Sequence, residues 1–344
     1  MRLDLATRTL FSEFQETCFA RASLEPKLNA IPRYVKKTIK GKIYWYTQSY
    51  EDGQTKQIYV GPADPKKNSL IEQSRQERRE ITKLLKVHRE REDRQASMLV
   101  RGGIPKLDAR MANVVQCLSE ANIIDGSGVL VGSLAFQTYT GMLGAIFDNA
   151  TLKTNDVDIV FDPTIEILPQ EPFNLRHYLT KYGFPFREIP QLIHSDPASS
   201  YIDPHGIRID LLTPQRGRPK GIITIPKLID SEVLALSFLD FLIEDIVRAL
   251  LMGPRGGIPV TVPHPARFAI HKLIVATRRS ITDQAKRTKD LHQASQLIAL
   301  LGEEDSTSLK RAWKEAERRG KKWKQALRSS AVHLDQEILK YLPR

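Results

Sequence analysis

Cysteine is scarce in this chain of 344 residues, which contains only Cys18 and Cys117. Two cysteines without a CxxC or Cys/His spacing cannot build a disulfide framework and give no pattern for a structural zinc site. Long apolar runs are also lacking, because no segment approaches the roughly 18 residues that a membrane-spanning helix needs. Met1–Asp4 does not begin a signal peptide. We therefore expect a cytoplasmic protein in a reducing compartment, with no membrane association.

Negative charge is in the minority, since 52 Lys and Arg face 40 Asp and Glu. The formal net charge is +12 and the pI is near 9.6, a balance that favours polyanionic partners. Residues 310–328 concentrate the excess, with nine Lys and Arg against Glu315 and Glu317. This segment fits either a nucleic-acid-facing surface or an ordinary solvated helix face, and charge alone does not choose between them.

Residues 1–67 are the first expected segment. Runs rich in Tyr, Trp, Ile and Val, separated by Lys-Gly and Asp-Gly turn signals, predict a three-stranded antiparallel β-meander over residues 34–62. The runs interleave aromatic residues with lysines: Tyr34, Tyr44, Trp45, Tyr46, Tyr50 and Tyr59 with Lys36, Lys37, Lys40, Lys42 and Lys56. This composition suits a nucleic-acid platform, but three short strands also need aromatic side chains merely to hold together.

Residues 68–101 predict one long, highly charged helix. One face of this helix is expected to carry a narrow apolar stripe. Its positions are three or four residues apart: Leu70, Ser74, Glu77, Ile81, Leu84 and His88. Such a helix is typical of a spacer or a coiled-coil arm, so we expect a homodimer that forms through it. Gly102 and Gly103, followed by Pro105, end the helix and mark a domain boundary.

The rest of the chain predicts two further segments, a core at 102–220 and a helical domain at 221–344. In the core, helices expected at 111–121 and 134–144 alternate with strands expected at 128–131, 156–161 and 208–212. Residues after Pro226 are expected to be mostly helical, with helices at 266–279, 286–301 and 308–342, the last broken near Gly320. The predicted fold class is α+β with an α/β core: a mixed sheet flanked by helices, a helical C-terminal domain, and the N-terminal meander with its long helix.

Asp156 and Asp158 form the chain's most informative pattern, because strand alternation places both carboxylates on one face. Like charges this close repel one another, and their burial is costly unless a cation lies between them. A divalent metal is the economical explanation. Gly132 and Ser133 follow an apolar strand upstream, and Asp210 lies in a later strand.

This order of motifs, over residues 105–215, resembles the nucleotidyltransferase superfamily that includes DNA polymerase beta and kanamycin nucleotidyltransferase. The runs Val131–Tyr139 and Thr154–Ile159, with His271–Leu273, Arg279 and Lys289–Asp290, are more closely similar to bacterial proteins related to the AbiEii toxins. The resemblance implies transfer of an NMP from an NTP to a hydroxyl, with release of pyrophosphate. The acceptor is expected to be RNA, with a tRNA end favoured, and a toxin or defence role would bring an antitoxin protein as partner.

Phosphoryl transfer of this kind needs charge neutralisation on the attacking and leaving oxygens, which two Mg²⁺ ions held by carboxylates supply. The expected metal ligands and catalytic residues are Asp156, Asp158 and Asp210, with Asp210 nearest the attacking hydroxyl. Gly132 would let the backbone approach the phosphates, and Ser133 would offer its hydroxyl and amide at a helix start.

Basic side chains supply the remaining candidates. By resemblance, Lys272 contacts the triphosphate, with Arg279 two turns on and Lys289 as a further contact; the alternative is that Lys272 only packs along an apolar surface. The loop after the Asp210 strand carries Arg216, Arg218 and Lys220, which suit an RNA backbone, although surface loops are often basic without such a role.

His264 and His271 are expected to be structural because neither has a metal-ligand partner three or four residues away. Two other functions fit the same fold. One is nucleotidylation of a protein hydroxyl, and the other is a non-catalytic nucleic-acid-binding or antitoxin-like protein.

Overall fold

In the computed structural model the chain forms two compact units, each with its own set of internal contacts. The structure describes residues 2–51, 54–148, 152, 154–189, 198–218, 221–280 and 283–343. The smaller unit comprises Leu10–Leu99 and Arg255–Gly257. The larger unit comprises Met1–Thr9, Val100–Pro254 and Ile258–Arg344. The four predicted segments are a finer division and stay a prediction.

A three-stranded antiparallel sheet and two long helices build the smaller unit. The elements are α1 (Leu5–Ala30), β1 (Arg33–Ile39), β2 (Lys42–Glu51), β3 (Gln54–Pro62) and α2 (Pro65–Arg101), with strand order β1-β2-β3. Lys40 and Gly41 join β1 to β2 with positive φ angles of 49° and 77°, the backbone of a tight hairpin turn. The predicted meander and long helix are therefore confirmed.

Alternation along β2 gives the small sheet two different faces. Trp45 is buried, and its indole Nε1 donates a hydrogen bond of 2.7 Å to Asn68 Oδ1 of α2. Tyr44 and Tyr46 point to the other face, where their ring centroids lie 6.1 and 5.5 Å from that of Tyr59. One face of the sheet therefore packs toward α2, and the other carries a cluster of tyrosines.

The predicted apolar stripe of α2 was right at Ile81, which is buried, and wrong at Leu70 and Leu84, which are 58% and 49% exposed. Their neighbours Ile71 and Leu85 are buried instead. Apolar side chains occur in adjacent pairs at 70/71 and 84/85, and only packing decides which member of a pair turns inward.

A seven-stranded mixed sheet is the centre of the larger unit. Its strands are β4 (Val129–Val131), β5 (Asp156–Val160), β6 (Arg187–Glu188), β7 (Ser200–Ile202), β8 (Arg208–Pro214), β9 (Ile222–Thr224) and β10 (Glu232–Leu236). The main path runs β4-β5-β8-β10-β9, and β7 pairs with both β8 and β6. Strands β5 and β8 are parallel, as are β8 and β10, while the other pairs are antiparallel.

Helices flank this sheet and form the C-terminal part. They are α3 (Ala109–Glu120), α4 (Gly132–Leu143), α5 (Leu175–Lys181), α6 (Leu239–Ile243), α7 (Pro265–Ala276), α8 (Gln284–Glu304), α9 (Ser306–Arg318), α10 (Lys321–Ala331) and α11 (Gln336–Leu339), with a 3₁₀ turn at Pro163–Ile165. The predicted break near Gly320 occurs there, with Gly320 at φ 120° before α10. Together these elements confirm the predicted α+β class.

The expectation that the chain is mostly helical after Pro226 was wrong for the segment up to residue 263, which contains several strands. Besides β9 and β10, this segment forms the two-stranded pair β11 (Ile246–Gly253) and β12 (Gly256–Pro263), so the helical part begins at Pro265. Short apolar runs such as Ile258–Val262 fit either a buried helix or a buried strand by periodicity. The Pro254–Gly256 turn between two such runs favours the hairpin.

A ring cluster packs α4 against α7 in the core of the larger unit. Phe136 and Tyr139 of α4 lie 6.0 and 5.3 Å, centroid to centroid, from Phe268 of α7, and all three are fully buried. The Tyr139 hydroxyl donates to the Pro263 carbonyl at 2.8 Å, which satisfies its only polar atom. This contact holds the start of α4 and the basic residues of α7 in one rigid frame.

Candidate active site

The Asp156–Asp158 pattern lies on β5 with the predicted alternation. Val157 and Ile159 are fully buried, Asp156 is exposed and Asp158 is partly buried. The two carboxylates therefore project from the face of the strand opposite the apolar pair, at its N-terminal half.

Main-chain pairing extends from Asp158 into a row across four strands. Asp158 pairs with Val131 of β4 and with Asp210 of β8, and Asp210 pairs with Ser200 of β7. Residues in direct register on neighbouring strands project to the same face, at a strand spacing of about 4.8 Å. The sheet thus brings the predicted Asp158 and Asp210 side by side, and we call Val131, Asp158, Asp210 and Ser200 the register row.

Gly132 gives the Asp158 carboxylate its space. A Cβ atom on Gly132 would lie 2.2 Å from Asp158 Oδ2, and the φ of Gly132 is +68°. Helix α4 starts at this residue, and the apolar side chain of Val131 at the N-cap cannot accept a hydrogen bond from the first turn. The first N–H groups of α4, with the partly buried Ser133, therefore start beside the carboxylates, where an anion would find donors.

The electrostatics of Asp158 and Asp210 differ. Burial raises the pKa of Asp158 to about 7, and the charges of Asp210 and Asp156 add to the increase, while Lys272 and Arg208 oppose it. Asp210 has a counter-charge in Arg208, whose Nε donates to Asp210 Oδ1 at 2.8 Å, and the neutral Ser200 Oγ donates to the same oxygen at 2.5 Å.

Lys272 and Arg279 meet at a buried carboxylate. Lys272 Nζ donates to Asp290 Oδ1 at 2.7 Å, and Arg279 Nε donates to Asp290 Oδ2 at 3.0 Å. Burial alone would raise the pKa of Asp290, but the two cations hold it below its usual value. Lys272 Nζ also lies 5.2 Å from the centroid of the Phe268 ring on the same helix. Both predicted cations are thus anchored, and Lys272 is still near enough to Asp158 to lower its pKa.

Lys289 of α8 lies within electrostatic range of Asp156 and Asp158. Burial and the charge of Lys272 lower the pKa of Lys289, while Asp156, Asp290 and Asp158 act in the opposite direction. Of the three predicted phosphate-binding cations, Lys272 and Lys289 therefore lie within electrostatic range of Asp158, and Arg279 pairs with Asp290.

The two histidines differ: His264 has a structural contact, whereas neither ring nitrogen of His271 has a hydrogen-bond partner among the described residues. His264 is the N-cap of α7, where its Nδ1 accepts from the Ala266 amide at 3.2 Å. His271 is buried beside Lys272, and burial lowers its pKa to about 3, so its ring is neutral near pH 7.

The basic loop after β8 is fixed by a different contact. Both terminal nitrogens of Arg216 donate to the fully buried carboxylate of Asp162, at 2.6 and 2.8 Å, and one also donates to Thr164 Oγ1 at 2.8 Å. Arg218 is exposed, and its carbonyl accepts from Gln215 Nε2 at 2.8 Å. Lys220 lies outside the described residues. Arg216 therefore anchors the loop, while Arg218 reaches solvent.

Residue chemistry at the register row fits a divalent cation, since carboxylate oxygens are the ligands that Mg²⁺ prefers and the repulsion at Asp158 is what a cation would relieve. The side chains do not form a complete metal site: within the described part of the chain, no three Asp, Glu, His or Cys side chains lie close enough together to bind a metal ion. Asp156, Asp158 and Asp210 are the carboxylates available for such an ion, and Asp210 is paired with Arg208.

Sequence reasoning missed the residues that hold these side chains in place. Arg208 is two positions before Asp210 on the same strand face, so alternation alone would have suggested it. Ser200, Asp162 and the clamping role of Asp290 depend on pairings between distant segments, for which the sequence gives no local signal.

A family model described as Nucleotidyltransferase matches residues 109–318, more than half of the chain. The chain belongs to this nucleotidyltransferase family. The matched span contains the whole register row, Gly132, Lys272, Arg279 and Lys289. No curated protein and no solved structure matches the chain, so a closer similarity to AbiEii-like proteins stays unconfirmed. In the described ranges, every helix is too short or too polar to cross a membrane.

Proposed function

We propose that this nucleotidyltransferase moves an NMP from an NTP to a hydroxyl of RNA, with Mg²⁺ and with release of pyrophosphate. The observation that carries the proposal is the register of Asp158 with Asp210 beneath Gly132, at the start of α4. Membership of the family supports nucleotidyl transfer in general. The metal, the acceptor and the site residues are parts of the proposal.

In this proposal Asp156, Asp158 and Asp210 hold the metal ions, which neutralise charge on the reacting phosphate when they are bound. Asp210 lies at the far side of Asp158 from β4, so it is the carboxylate proposed to receive the acceptor hydroxyl and its proton. Gly132, Ser133 and the start of α4 would take the phosphates by their amides and hydroxyl.

The cations of the helical part complete the nucleotide site. Lys289 and Lys272, already within electrostatic range of Asp158, would bind the triphosphate. Arg279 would act by holding Asp290, and thereby Lys272, in position. An acceptor of RNA chemistry is supported by the net charge of +12, by the basic segment at 310–328 and by Arg218 on the loop after β8. A tRNA end is the favoured RNA.

The test is label transfer from each α-³²P-labelled NTP, with Mg²⁺ and total tRNA. We expect label on RNA, removal of the signal by EDTA, and a rate for Asp158→Asn that is lower by at least about 100-fold, the order found when one charge-stabilising group is lost. Asp93→Asn, an exposed carboxylate of α2, is the matched control and should behave as wild type. The proposal is wrong if the folded wild-type protein labels neither RNA nor protein with any NTP.

The same label-transfer experiment tests the alternative function, nucleotidylation of a protein hydroxyl, because that reaction would place the label on protein. A non-catalytic nucleic-acid-binding or antitoxin-like role is favoured by one observation, the ion pair of Arg208 with Asp210, which occupies a proposed metal ligand. In that case Asp158→Ala should leave the biological effect unchanged. A toxin or defence role, an antitoxin partner and a homodimer through α2 stay predictions.

A further inference from the structure

A basic groove of about 720 Å³ lies within the smaller unit, between the edge strand β1 and helix α2. Six of its lining residues are Lys or Arg: Arg33, Arg75, Arg78, Arg79, Lys83 and Lys86. The other described residues that line it are uncharged, so none of the described lining residues is Asp or Glu. We call this feature the β1–α2 groove. The predicted function of residues 68–101 as a spacer does not use it.

The spacing of the basic residues explains the groove. The five on α2 follow steps of one, three or four residues from Arg75 to Lys86, so they project from one side of the helix. Nearby acids balance only part of this charge: Glu72 accepts from Arg79 at 2.6 Å and lies 4.0 Å from Arg75, and Glu90 lies 3.9 Å from Lys86. The groove therefore keeps a positive excess.

Two of the arginines are held in fixed positions by uncharged partners. Arg78 Nη1 donates to the carbonyls of Leu28 and Ile31, at 2.9 and 2.7 Å. Arg75 Nη2 donates to the Tyr34 carbonyl at 2.9 Å, and its guanidinium lies 4.8 Å from the Trp45 ring centroid. Hydrogen bonds to carbonyls orient a guanidinium without cancelling its charge, so these groups are already arranged for an anion.

The charges also repel one another. Burial, and after it the charge of Arg33, lower the pKa of Arg78. Cations placed this close are costly in the free protein and become favourable when an anion lies between them. From Arg75 to Lys86 the helix advances about 16 Å, at 1.5 Å per residue. A single phosphate cannot contact both ends of such a row, whereas a chain of phosphates can.

We propose that the β1–α2 groove binds the sugar-phosphate backbone of single-stranded RNA. Phosphate chemistry follows from the six cations. A single strand is favoured because Tyr34 lines the groove beside the cations, and an unpaired base can stack on such a ring. The choice of RNA over DNA rests on the proposed function, in which RNA is the acceptor.

The test measures binding of the full-length protein to a fluorescein-labelled 12-mer of oligo(U) by fluorescence anisotropy, over a range of salt concentrations. The variant Arg33→Glu/Lys83→Glu reverses two exposed groove charges and leaves the anchored Arg75 and Arg78 in place. We expect binding to weaken by about tenfold or more, and the slope of log K against log salt to decrease by about 1.4, or 0.7 for each lost phosphate contact.

Lys66→Glu/Arg94→Glu is the matched control, because it makes the same charge change at exposed positions of α2 outside the groove. The control should bind oligo(U) nearly as wild type does. Equal weakening by both double variants, or no binding by the wild type, would overturn the groove assignment. Equal binding of oligo(dT), or equal competition by oligo-glutamate, would overturn the assignment to RNA. Circular dichroism and thermal melting confirm that each variant is folded.

Failure of the groove and failure of the transferase proposal give different results. Asp158→Asn should bind oligo(U) normally while losing label transfer. Groove-dependent binding without any transfer by the wild type would leave the groove standing and reject the proposed function. Transfer to RNA with an unchanged KM in Arg33→Glu/Lys83→Glu would reject the groove as the place where acceptor RNA binds.

Discussion

Gly132 shows how a single residue supports the candidate site. Its missing Cβ leaves space for Asp158 Oδ2, and its φ of +68° is one that L side chains adopt only at a cost. The two requirements are separable, because Gly183 has a similar φ of +83° and no atom lies within 4 Å of the place where its Cβ would be.

Gly132→Ala should therefore do more damage than Gly183→Ala. Both variants carry the left-handed backbone cost of about 1–2 kcal/mol, but only Gly132→Ala also displaces the Asp158 carboxylate. We expect a transfer rate lower by about 100-fold, the effect of a displacement of about 1 Å in a reacting site, and a lower melting temperature than for Gly183→Ala. Equal melting temperatures and equal rates for the two variants would mean that the contact has no importance.

Asp290 is the second residue with a measurable role, as the shared partner of Lys272 and Arg279. Asp290→Asn removes the charge of the side chain but keeps its shape. We expect the free energy of unfolding to decrease by about 3 kcal/mol, the low end for a broken buried ion pair, because Arg279 is 31% exposed. Urea denaturation at neutral pH measures it.

The same pair predicts a pH dependence. The folded pKa of Asp290 lies below its ordinary value of 3.8, so its stabilising effect is present above 3.8 and is lost as the pH falls through the folded value. The difference in unfolding free energy between wild type and Asp290→Asn should be constant near neutral pH and shrink below about pH 4. A difference that grows on acidification would contradict this account.

At the scale of elements, the predictable features were those that local patterns determine. The meander followed from turn residues and β-branched runs, and β5 followed from alternation around Asp156 and Asp158. The burial of Ile71 and Leu85 on α2 and the hairpin of β11 and β12 did not follow, because adjacent apolar pairs and short apolar runs suit two arrangements. In the site, the carboxylates were predictable, whereas Ser200 and Asp162 depended on strand pairing and long-range contacts.

A buried ion pair joins α1 to α2 in the smaller unit. Arg21 Nε donates to Glu92 Oε1 at 2.7 Å, and Arg21 Nη2 donates to the Gly257 carbonyl at 2.8 Å. Burial raises the pKa of Glu92, and Arg21 opposes that increase. Arg21→Met should destabilise the smaller unit by about 3–5 kcal/mol near neutral pH, because it leaves a buried carboxylate without a counter-charge.

The pH profile and a second pair sharpen this prediction. Because burial raises the pKa of Glu92 in the folded protein, the free energy of unfolding falls as the pH rises through that pKa. Arg21→Met should therefore lower the free energy of unfolding less near pH 5 than near pH 8. Arg91→Met is the matched control, since Arg91 and Glu13 join the same two helices at positions that are 51% exposed, where an ion pair contributes little. Hydrogen exchange of α1 and α2 peptides measures both variants, and an equal effect of the two would contradict the assignment.

At the scale of the whole molecule, each unit contains one cysteine. Cys18 belongs to the smaller unit and Cys117 to the larger, and both are buried. Burial raises the pKa of Cys117 to about 12, and burial with the nearby charge of Glu92 raises that of Cys18 further. A thiol in this state reacts slowly, because the thiolate is the nucleophile.

Iodoacetamide should therefore modify neither cysteine in the native protein, and modification should report the opening of each unit separately. In increasing urea, Arg21→Met should expose Cys18 at a lower concentration than in wild type and leave the midpoint for Cys117 unchanged. Peptide mass spectrometry after alkylation gives both midpoints. A shift of both midpoints together would show that the two units unfold as one cooperative body.

The register row has a consequence for how such a site can change. Main-chain pairing, and not the length of the connection, sets Asp158 opposite Asp210, so residues can be added between α4 and β5 without moving either carboxylate. A shift of β5 by one residue would instead turn Val157 to the face of the carboxylates and both aspartates into the core. The arrangement of the register row therefore depends on the register of its strands and not on the length of its connections.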